Sequence, residues 1–140
     1  MRVFYTDGSA SPNPGPGGYA VIENGKPVAL GSEDGKTTNI RMEGRALIAA
    51  MKLSIDFQCQ IYTDSEFWIN TLTKWAPAWE AKGWTKKGGI KNIDLVREAY
   101  DLYQDSLAEI IWVRGHNGDK GNELADEWAN KARMGERLQG

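Results

Sequence analysis

At positions 60–66 the chain reads Gln60-Ile61-Tyr62-Thr63-Asp64-Ser65-Glu66, a β-prone apolar run that ends in a Thr-Asp pair and is followed by the start of a helix. The amino-terminal segment repeats this pattern, because Val3-Phe4-Tyr5-Thr6 leads into Asp7-Gly8. We therefore predict two short strands that each end at an aspartate. These aspartates at the ends of two strands are the first candidates for a functional site.

The neighbouring segments carry turn, hairpin and helix signals. Residues 11–18 are so rich in Gly and Pro that we predict a loop there, which continues neither helix nor strand. Two β-prone runs at 19–22 and 28–30 flank Asn24-Gly25, which predicts a hairpin. An Ala-rich amphipathic helix of about four turns is expected from Arg41 onward.

Further elements complete an α/β pattern. We predict a short helix with a projecting loop at 75–89, a helix at 93–107, a strand at 109–113, a polar loop at 115–122 and a helix at 123–134. The order β-β-β-α-β-α-α-β-α indicates a mixed sheet with helices packed on it. The length of 140 residues fits one domain, so 1–140 is predicted to be a single domain.

Composition and charge exclude several classes of protein. With 41% hydrophobic and 26% charged residues, the chain can bury a core and is not intrinsically disordered. One cysteine and one histidine exclude an intrachain disulfide and a cysteine-built zinc site. No signal-peptide core or membrane-spanning run is present, so we expect a cytoplasmic protein with no membrane partner. The net charge of −2, taken alone, speaks against a nucleic-acid ligand.

Four carboxylates are the main candidates for chemistry. Asp7 and Asp64 end the two strands, Glu43 opens the first long helix, and Asp126 lies inside the last helix beside apolar residues. If they converge, an all-oxygen site of this charge suits a hard divalent cation such as Mg²⁺. The alternative is structural, because aspartates often occupy turns and a first-turn glutamate suits the helix dipole. Asp126 favours the metal site, since aspartate is disfavoured within helices.

A histidine and a tryptophan-rich segment give two further signals. His116 lies in a polar, Gly-rich loop close in sequence to Asp126. It is either a solvated surface residue or a proton shuttle beside a metal site. Trp75, Trp79 and Trp84 lie just before and among several lysines. Core packing explains such rings, and rings interleaved with lysines also suit a sugar-phosphate backbone.

Five motifs follow one another between residue 2 and about residue 134. They are Thr6-Asp7-Gly8-Ser9, Asn13-Pro14-Gly15-Pro16-Gly17-Gly18, Thr37-Thr38-Asn39 with Arg41-Met42-Glu43, Tyr62-Thr63-Asp64-Ser65, and Gly115-His116 with Gly121-Asn122-Glu123 and Ala125-Asp126. Together they resemble ribonuclease H of type 1. The resemblance implies a ribonuclease H-like fold, with a five-stranded mixed sheet in the order 3-2-1-4-5 flanked by helices. It also implies an endoribonuclease that cleaves the RNA strand of RNA/DNA hybrids and leaves 5′-phosphate and 3′-hydroxyl ends.

The resemblance assigns roles to the acidic residues by position. Two Mg²⁺ ions, with Mn²⁺ as a substitute, would be bridged by Asp7. Glu43 and Asp64 would complete the site on the leaving-group side, and Asp126 would hold the ion that activates the water. His116 would assist product release or proton transfer.

The same resemblance implies contacts with an RNA/DNA hybrid as the partner. Asn13 and Asn39 match minor-groove contacts, and Thr38 matches a phosphate contact on the DNA strand. Trp75 would stack on a DNA sugar. A basic protrusion at residues 75–91 would add the side chains of Lys82, Lys86, Lys87 and Lys91.

One departure from the family and several alternatives remain. The family usually places Asn or Gln where this chain has Ile40, so we expect one groove hydrogen bond to be absent. Rival interpretations are the ribonuclease H domain of a reverse transcriptase, a structure-selective resolvase, and a hybrid-binding module that has lost catalysis. The presence of all four carboxylates and the histidine favours an active enzyme. We expect the protein to be a monomer.

Overall fold

A five-stranded sheet forms the centre of the structure, a computed structural model that describes residues 1–115 and 119–138. Its strand order is β3-β2-β1-β4-β5, which confirms the predicted order. The elements along the chain are β1 Arg2–Ala10, β2 Gly15–Glu23, β3 Lys26–Thr37, α1 Asn39–Leu53, β4 Cys59–Thr63, α2 Glu66–Asn70, a π-helical turn Thr71–Trp75, α3 Ala76–Ala81, α4 Ile93–Asp105, β5 Ala108–Trp112 and α5 Lys120–Arg133.

The two faces of the sheet bury separate cores, because side chains alternate along a strand. Val21 of β2 belongs to a large core that includes Leu47 of α1 and residues of α2, β4 and α4. Its neighbours Ala20 and Ile22 belong to a smaller core that includes Ala129 of α5. Helices therefore cover both faces, and α1 and α5 approach the central strand β1 from opposite sides.

The first strand is longer than its sequence predicts. β1 continues through Asp7 to Ala10, so the prediction that it ends at Asp7-Gly8 is wrong. Antiparallel pairing with β2 extends the strand, with Asp7 opposite Ala20 and Ala10 opposite Gly17. A turn-prone dipeptide is a local signal, and hydrogen bonding to a neighbouring strand overrides it.

The second half of the predicted loop at 11–18 is also strand. β2 begins at Gly15, and its glycines serve close packing instead of a turn. A Cβ atom on Gly18 would overlap the backbone of Ala129 and Arg133 in α5. Glycine at this position therefore lets α5 lie directly on the sheet, which brings the last helix close to β1.

The predicted hairpin is confirmed. Asn24 and Gly25 both have positive φ angles, 53° and 76°, as a two-residue hairpin turn of this kind requires. Glu23 pairs with Lys26 across the turn, and a register shift follows beside Pro27, which has no N–H to donate to the ladder. β3 then continues to residue 37, well beyond its predicted end at residue 30.

Helices occupy most of the second half of the chain. A continuous helical run occupies residues 66–81, so the helix start predicted at Ser65-Glu66 is confirmed. The short helix predicted from residue 75 is the continuation of this run beyond a π-helical turn. α4 and β5 lie within a few residues of their predicted positions, and α5 begins at Lys120 instead of residue 123. None of the described helices is both long enough and apolar enough to cross a membrane.

Candidate active site

The register of two parallel strands aligns the aspartates that follow the repeated Tyr-Thr pattern. Tyr5 of β1 pairs with Tyr62 of β4, and their rings stack with centroids 4.9 Å apart. Asp7 and Asp64 each lie two residues further along the chain. Asp7 lies within β1 and is buried, with 6% of its surface exposed, whereas Asp64 directly follows β4.

Glu43 reaches this region from α1. The helix begins at Asn39, with Thr38 as its N-cap, so Glu43 lies in the second turn and does not open the helix as predicted. The helix dipole acts mainly on the first turn and does not account for a glutamate here. A Cβ atom on Gly8 would overlap the backbone at the start of Glu43. Glycine at position 8 therefore lets α1 lie against β1 beside Asp7.

Asp126 lies on α5, and two successive hydrogen bonds link its turn of the helix to β1. The Ser9 hydroxyl donates to Asn130 Oδ1 at 3.0 Å, and Asn130 Nδ2 donates to the main-chain carbonyl of Asp126 at 3.1 Å. Ser9 lies two residues beyond Asp7, so these bonds fix the α5 turn that carries Asp126 relative to the strand that carries Asp7. No local sequence signal reveals this pair, because Ser9 and Asn130 are 121 positions apart.

The carboxylates are electrostatically coupled. Burial raises the pKa of Asp7 to about 9, and the negative charges of Asp64, Asp126 and Glu43 contribute to the rise. A hydrogen bond from the Gly8 N–H to Asp7 Oδ1, at 2.9 Å, lowers the pKa and only partly offsets these effects. Asp7 is thus protonated at neutral pH when no cation is bound. An ionised Asp7 would be repelled by these three carboxylates.

A second carboxyl group shows the same electrostatic behaviour. Burial raises the pKa of Glu43 to about 7, the charge of Asp64 adds to this, and a side-chain hydrogen bond with Ser65 lowers it. Ser65 also caps α2, because its hydroxyl accepts a hydrogen bond from the Trp68 N–H at 3.2 Å. The sequence indicated Ser65 only as the start of a helix, and its contact with Glu43 depends on the meeting of α1 and β4.

The four carboxylates are of the chemical type that binds a hard divalent cation, although they are not grouped around one point. Within residues 1–115 and 119–138, no three His, Cys, Asp or Glu side chains are grouped closely enough to hold a metal ion as they stand. A cation would offset both the repulsion between ionised carboxylates and the cost of ionising the buried Asp7. Carboxylate oxygens are the ligands that Mg²⁺ and Mn²⁺ prefer.

The residues predicted to contact the minor groove of the hybrid form a small hydrogen-bond network at the start of α1. The Ala10 N–H donates to Asn39 Oδ1 at 2.6 Å, and the Asn39 N–H donates to Asn13 Oδ1 at 3.2 Å. Both amide oxygens are therefore engaged by main-chain donors, which fixes the orientation of the amides and leaves their NH₂ groups as donors. Thr38 accepts a hydrogen bond from the Arg41 N–H at 3.1 Å as the helix cap.

Ile40 lies in the first turn of the same helix. Its side chain is partly exposed, and its main-chain carbonyl accepts a hydrogen bond from the Trp68 indole N–H at 2.7 Å. The indole therefore fixes the backbone of this turn. An apolar side chain next to Asn39 cannot replace the amide that the family usually has here.

The predicted basic protrusion, residues 75–91, is named the handle below. Trp75 is 44% exposed, and its ring centroid lies 6.3 Å from that of Phe67 and 6.3 Å from that of Trp79. These rings line a groove of about 550 Å³. The same groove is lined by Lys86, Lys87 and Lys91, and Lys82 lines an adjoining one.

Trp84 and His116 are the two predicted residues that remain to be placed in the structure. Trp84 packs edge to face on Tyr100 of α4, with centroids 6.1 Å apart, and is a partly buried ring against the large core, which favours the core-packing interpretation for this residue. His116 lies outside the described residues. Its neighbour Gly115 is beside the site, since a Cβ atom there would be 2.8 Å from Asp64 Oδ2.

A sheet in the order 3-2-1-4-5 with coupled carboxylates around its central strand defines the ribonuclease H-like class of nucleases. The family model for RNase H matches residues 1–134. The chain therefore belongs to the RNase H family, endonucleases that act on RNA/DNA hybrids. This membership confirms the resemblance found in the sequence.

Individual relatives agree with this membership. The chain is 43% identical over 136 residues to ribonuclease H of Polynucleobacter asymbioticus, covering 92% of this chain and 87% of the relative. It is 40% identical over 136 residues to ribonuclease H of Cupriavidus pinatubonensis, with 92% of each covered. Among solved structures it is similar to LC9-RNase H1, a type 1 RNase H with the type 2 active-site motif. The TM-score is 0.83 at 31% identity, covering 99% of this chain and 74% of that one.

Proposed function

We propose that this chain hydrolyses the RNA strand of RNA/DNA hybrids with two metal ions and leaves 5′-phosphate and 3′-hydroxyl ends. Family membership supports nuclease action on hybrids. The observation that carries the metal requirement is the buried Asp7, whose pKa is raised to about 9 by burial and by three neighbouring carboxylates. The number of ions and the product ends are proposed from the resemblance to the family. A bound cation would stabilise the ionised form of this group, which is the form that ligates a metal.

The protein contributes charge and position at this site. Asp7, Glu43, Asp64 and Asp126 would hold the ions, Mg²⁺ or Mn²⁺ as a substitute. When bound, such ions generate a nucleophile from water and stabilise the leaving oxygen. The Gly8 N–H holds one oxygen of Asp7.

Hybrid recognition follows from the fixed amides at the start of α1. Asn13 and Asn39 present donors, and the minor groove of a hybrid presents acceptors on base edges and ribose oxygens. Thr38 would meet a phosphate of the DNA strand. With Ile40 in the neighbouring position, the groove loses one polar contact, so shape and the two remaining amides carry more of the recognition.

The handle would bind the DNA strand. Its groove combines exposed ammonium groups with the exposed ring of Trp75, a composition that suits phosphates and a stacked sugar. The lysines of this surface are Lys82, Lys86, Lys87 and Lys91. His116 would assist proton transfer or product release from its position in sequence next to Gly115, which lies against Asp64.

A substrate panel tests this function. Equal concentrations of RNA/DNA hybrid, duplex RNA and duplex DNA are incubated with the protein in Mg²⁺ and in EDTA, and the ends of the products are analysed. We expect cleavage of the hybrid alone, only with metal, and products whose 5′ ends can be ligated and whose 3′ ends can be extended. Binding to the hybrid without cleavage in Mg²⁺ or Mn²⁺ would instead indicate a binding module.

The single domain, the monomeric state and the cytoplasmic location stay predictions. Light scattering at enzyme-assay concentrations tests the oligomeric state, and a mass twice that of the chain would contradict a monomer. Localisation of a tagged chain in its own cells tests the compartment.

A further inference from the structure

Arg41 connects the start of α1 to the end of the handle. Its guanidinium donates to both carboxylate oxygens of Asp94, at 3.1 and 2.9 Å, and to Asn92 Oδ1 at 3.3 Å. Its main-chain N–H donates to the hydroxyl of Thr38. One residue therefore holds the cap of α1 through its backbone and the first turn of α4 through its side chain.

Residues 83–92, called the handle loop below, are attached to α3 at their start, where the main-chain N–H groups of Gly83 and Trp84 donate to the carbonyls of Glu80 and Trp79. Between residues 83 and 92, five residues have positive φ angles, and the lysines there are exposed. Trp84 attaches the loop to α4, through Tyr100 and through Arg97, whose guanidinium carbon lies 5.2 Å from the indole centroid. The second attachment of the loop is therefore to α4, and Arg41 attaches the beginning of α4 to α1.

We propose that Arg41 is a positioning residue that sets the handle relative to the start of α1, so that both surfaces engage one hybrid duplex. This inference rests on the proposed function, because the hybrid is the ligand that would span the two surfaces. The planar fork of arginine bound to both oxygens of one carboxylate fixes an orientation, which a lysine ammonium does not. The contact of Arg41 with Asn92 adds a third hydrogen bond. This set of contacts, called the clamp below, resists rotation of the handle as well as its separation from α1.

If Asp94 acted only through its charge, its removal would change hybrid affinity in the opposite direction from that predicted by the clamp. Asp94→Asn removes a negative charge close to the surface that would bind a polyanion, and long-range attraction alone would make binding tighter. The clamp predicts weaker binding, because Arg41 loses its bidentate partner. The matched control is Glu98→Gln, which removes the same charge from the same helix and breaks its pair with Lys52 of α1, 3.4 Å apart.

The experiment measures hybrid affinity in the non-cleaving Asp7→Asn background, and KM and kcat in the active protein. We expect Asp94→Asn and Arg41→Gln each to weaken affinity and raise KM about three- to tenfold, with kcat at saturation unchanged. Combining them should cost no more than either alone, because both break one unit. Arg41→Lys should restore only part of the affinity, and Glu98→Gln should bind at least as tightly as the parent.

Three results would overturn the clamp: Asp94→Asn binding as tightly as Glu98→Gln, additive effects of the two changes, or a lower melting temperature with unchanged KM. Failure of the proposed function looks different. In that case the parent protein itself would not prefer the hybrid to duplex DNA, whatever the variants do.

Discussion

Asp7 and Asp64 occupy equivalent positions on adjacent parallel segments, two residues beyond the paired Tyr5 and Tyr62. After burial, the charge of Asp64 is the largest cause of the raised pKa of Asp7. The alignment therefore makes ionisation of Asp7 unfavourable next to the central strand. Metal binding, stability and pH dependence should all depend on this one relationship.

The metal-free protein should lose stability as the pH rises. A folded-state pKa of about 9 for Asp7 lies above its ordinary value of 3.8, so the native state keeps a proton that the unfolded chain releases. The free energy of unfolding should fall from about pH 4 to about pH 9, by up to about 1.4 kcal/mol per pH unit for one retained proton. Glu43, with a pKa of about 7, adds to the fall up to neutral pH.

Denaturant unfolding at several pH values in EDTA measures this slope. Asp7→Asn should flatten it, and saturating Mg²⁺ should oppose it. The control Asp56→Asn changes an exposed carboxylate and should leave the slope as it is. Equal slopes for the parent and Asp7→Asn would show that the repulsion is absent.

Replacing Gly8 by alanine should disrupt the site through the backbone. The added Cβ atom would overlap the start of Glu43, so α1 must move away from β1. We expect a loss of about 1–3 kcal/mol in the free energy of unfolding. Because Glu43 moves with the helix, cleavage should also need more Mg²⁺ to reach half its maximum. A variant with normal metal dependence would contradict the role given to this contact.

Two substitutions of Asn39 should separate folding from recognition. Asn39→Asp keeps an acceptor for the Ala10 N–H and replaces the NH₂ donor by an oxygen, whereas Asn39→Ala removes both. The aspartate variant should be the more stable, by about 1 kcal/mol, and the weaker binder of hybrid. Melting curves and hybrid titrations in the non-cleaving background give the two orders. The same order in both measurements would argue against donor recognition.

The lysines of the handle should determine the salt dependence of binding. Lys86→Ala and Lys87→Ala should each reduce the slope of log affinity against log salt concentration by about 1. Lys26→Ala, which makes the same charge change at the β2–β3 hairpin, should leave the slope unchanged. If all three variants gave the parent slope, the handle would not contact phosphates.

The sequence predicted the hairpin well, because a hairpin depends on signals that neighbouring residues carry. Asn24-Gly25 is one such signal, and the resemblance supplied the strand order. The ends of β1 and β2 were wrong, since Asp7-Gly8 and Gly15 have turn-forming character that strand pairing overrides. The π-helical turn before Trp75 was not foreseen, because the apolar spacing of residues 66–81 does not separate it from an ordinary helix.

The candidate site could be named in part. Its carboxylates were proposed from their sequence context, and Asp64, Asp126 and Glu43 lie close enough to Asp7 for their charges to raise its pKa. Ser65 and the Arg41–Asp94 pair were missed, because each acts across elements that only the folded chain brings together. The overall charge of −2 was misleading, since it averages an acidic cluster with a lysine-rich surface.

The most direct test of the central claim follows the two strands of one hybrid separately. RNA and DNA strands carry different labels, and single-turnover cleavage is measured for the parent protein and for Asp7→Asn, with and without Mg²⁺. The account predicts metal-dependent cuts in the RNA strand alone, and a loss of at least about a thousandfold in rate for Asp7→Asn while the fold is retained. Cleavage of the DNA strand, or ordinary turnover by Asp7→Asn, would contradict it.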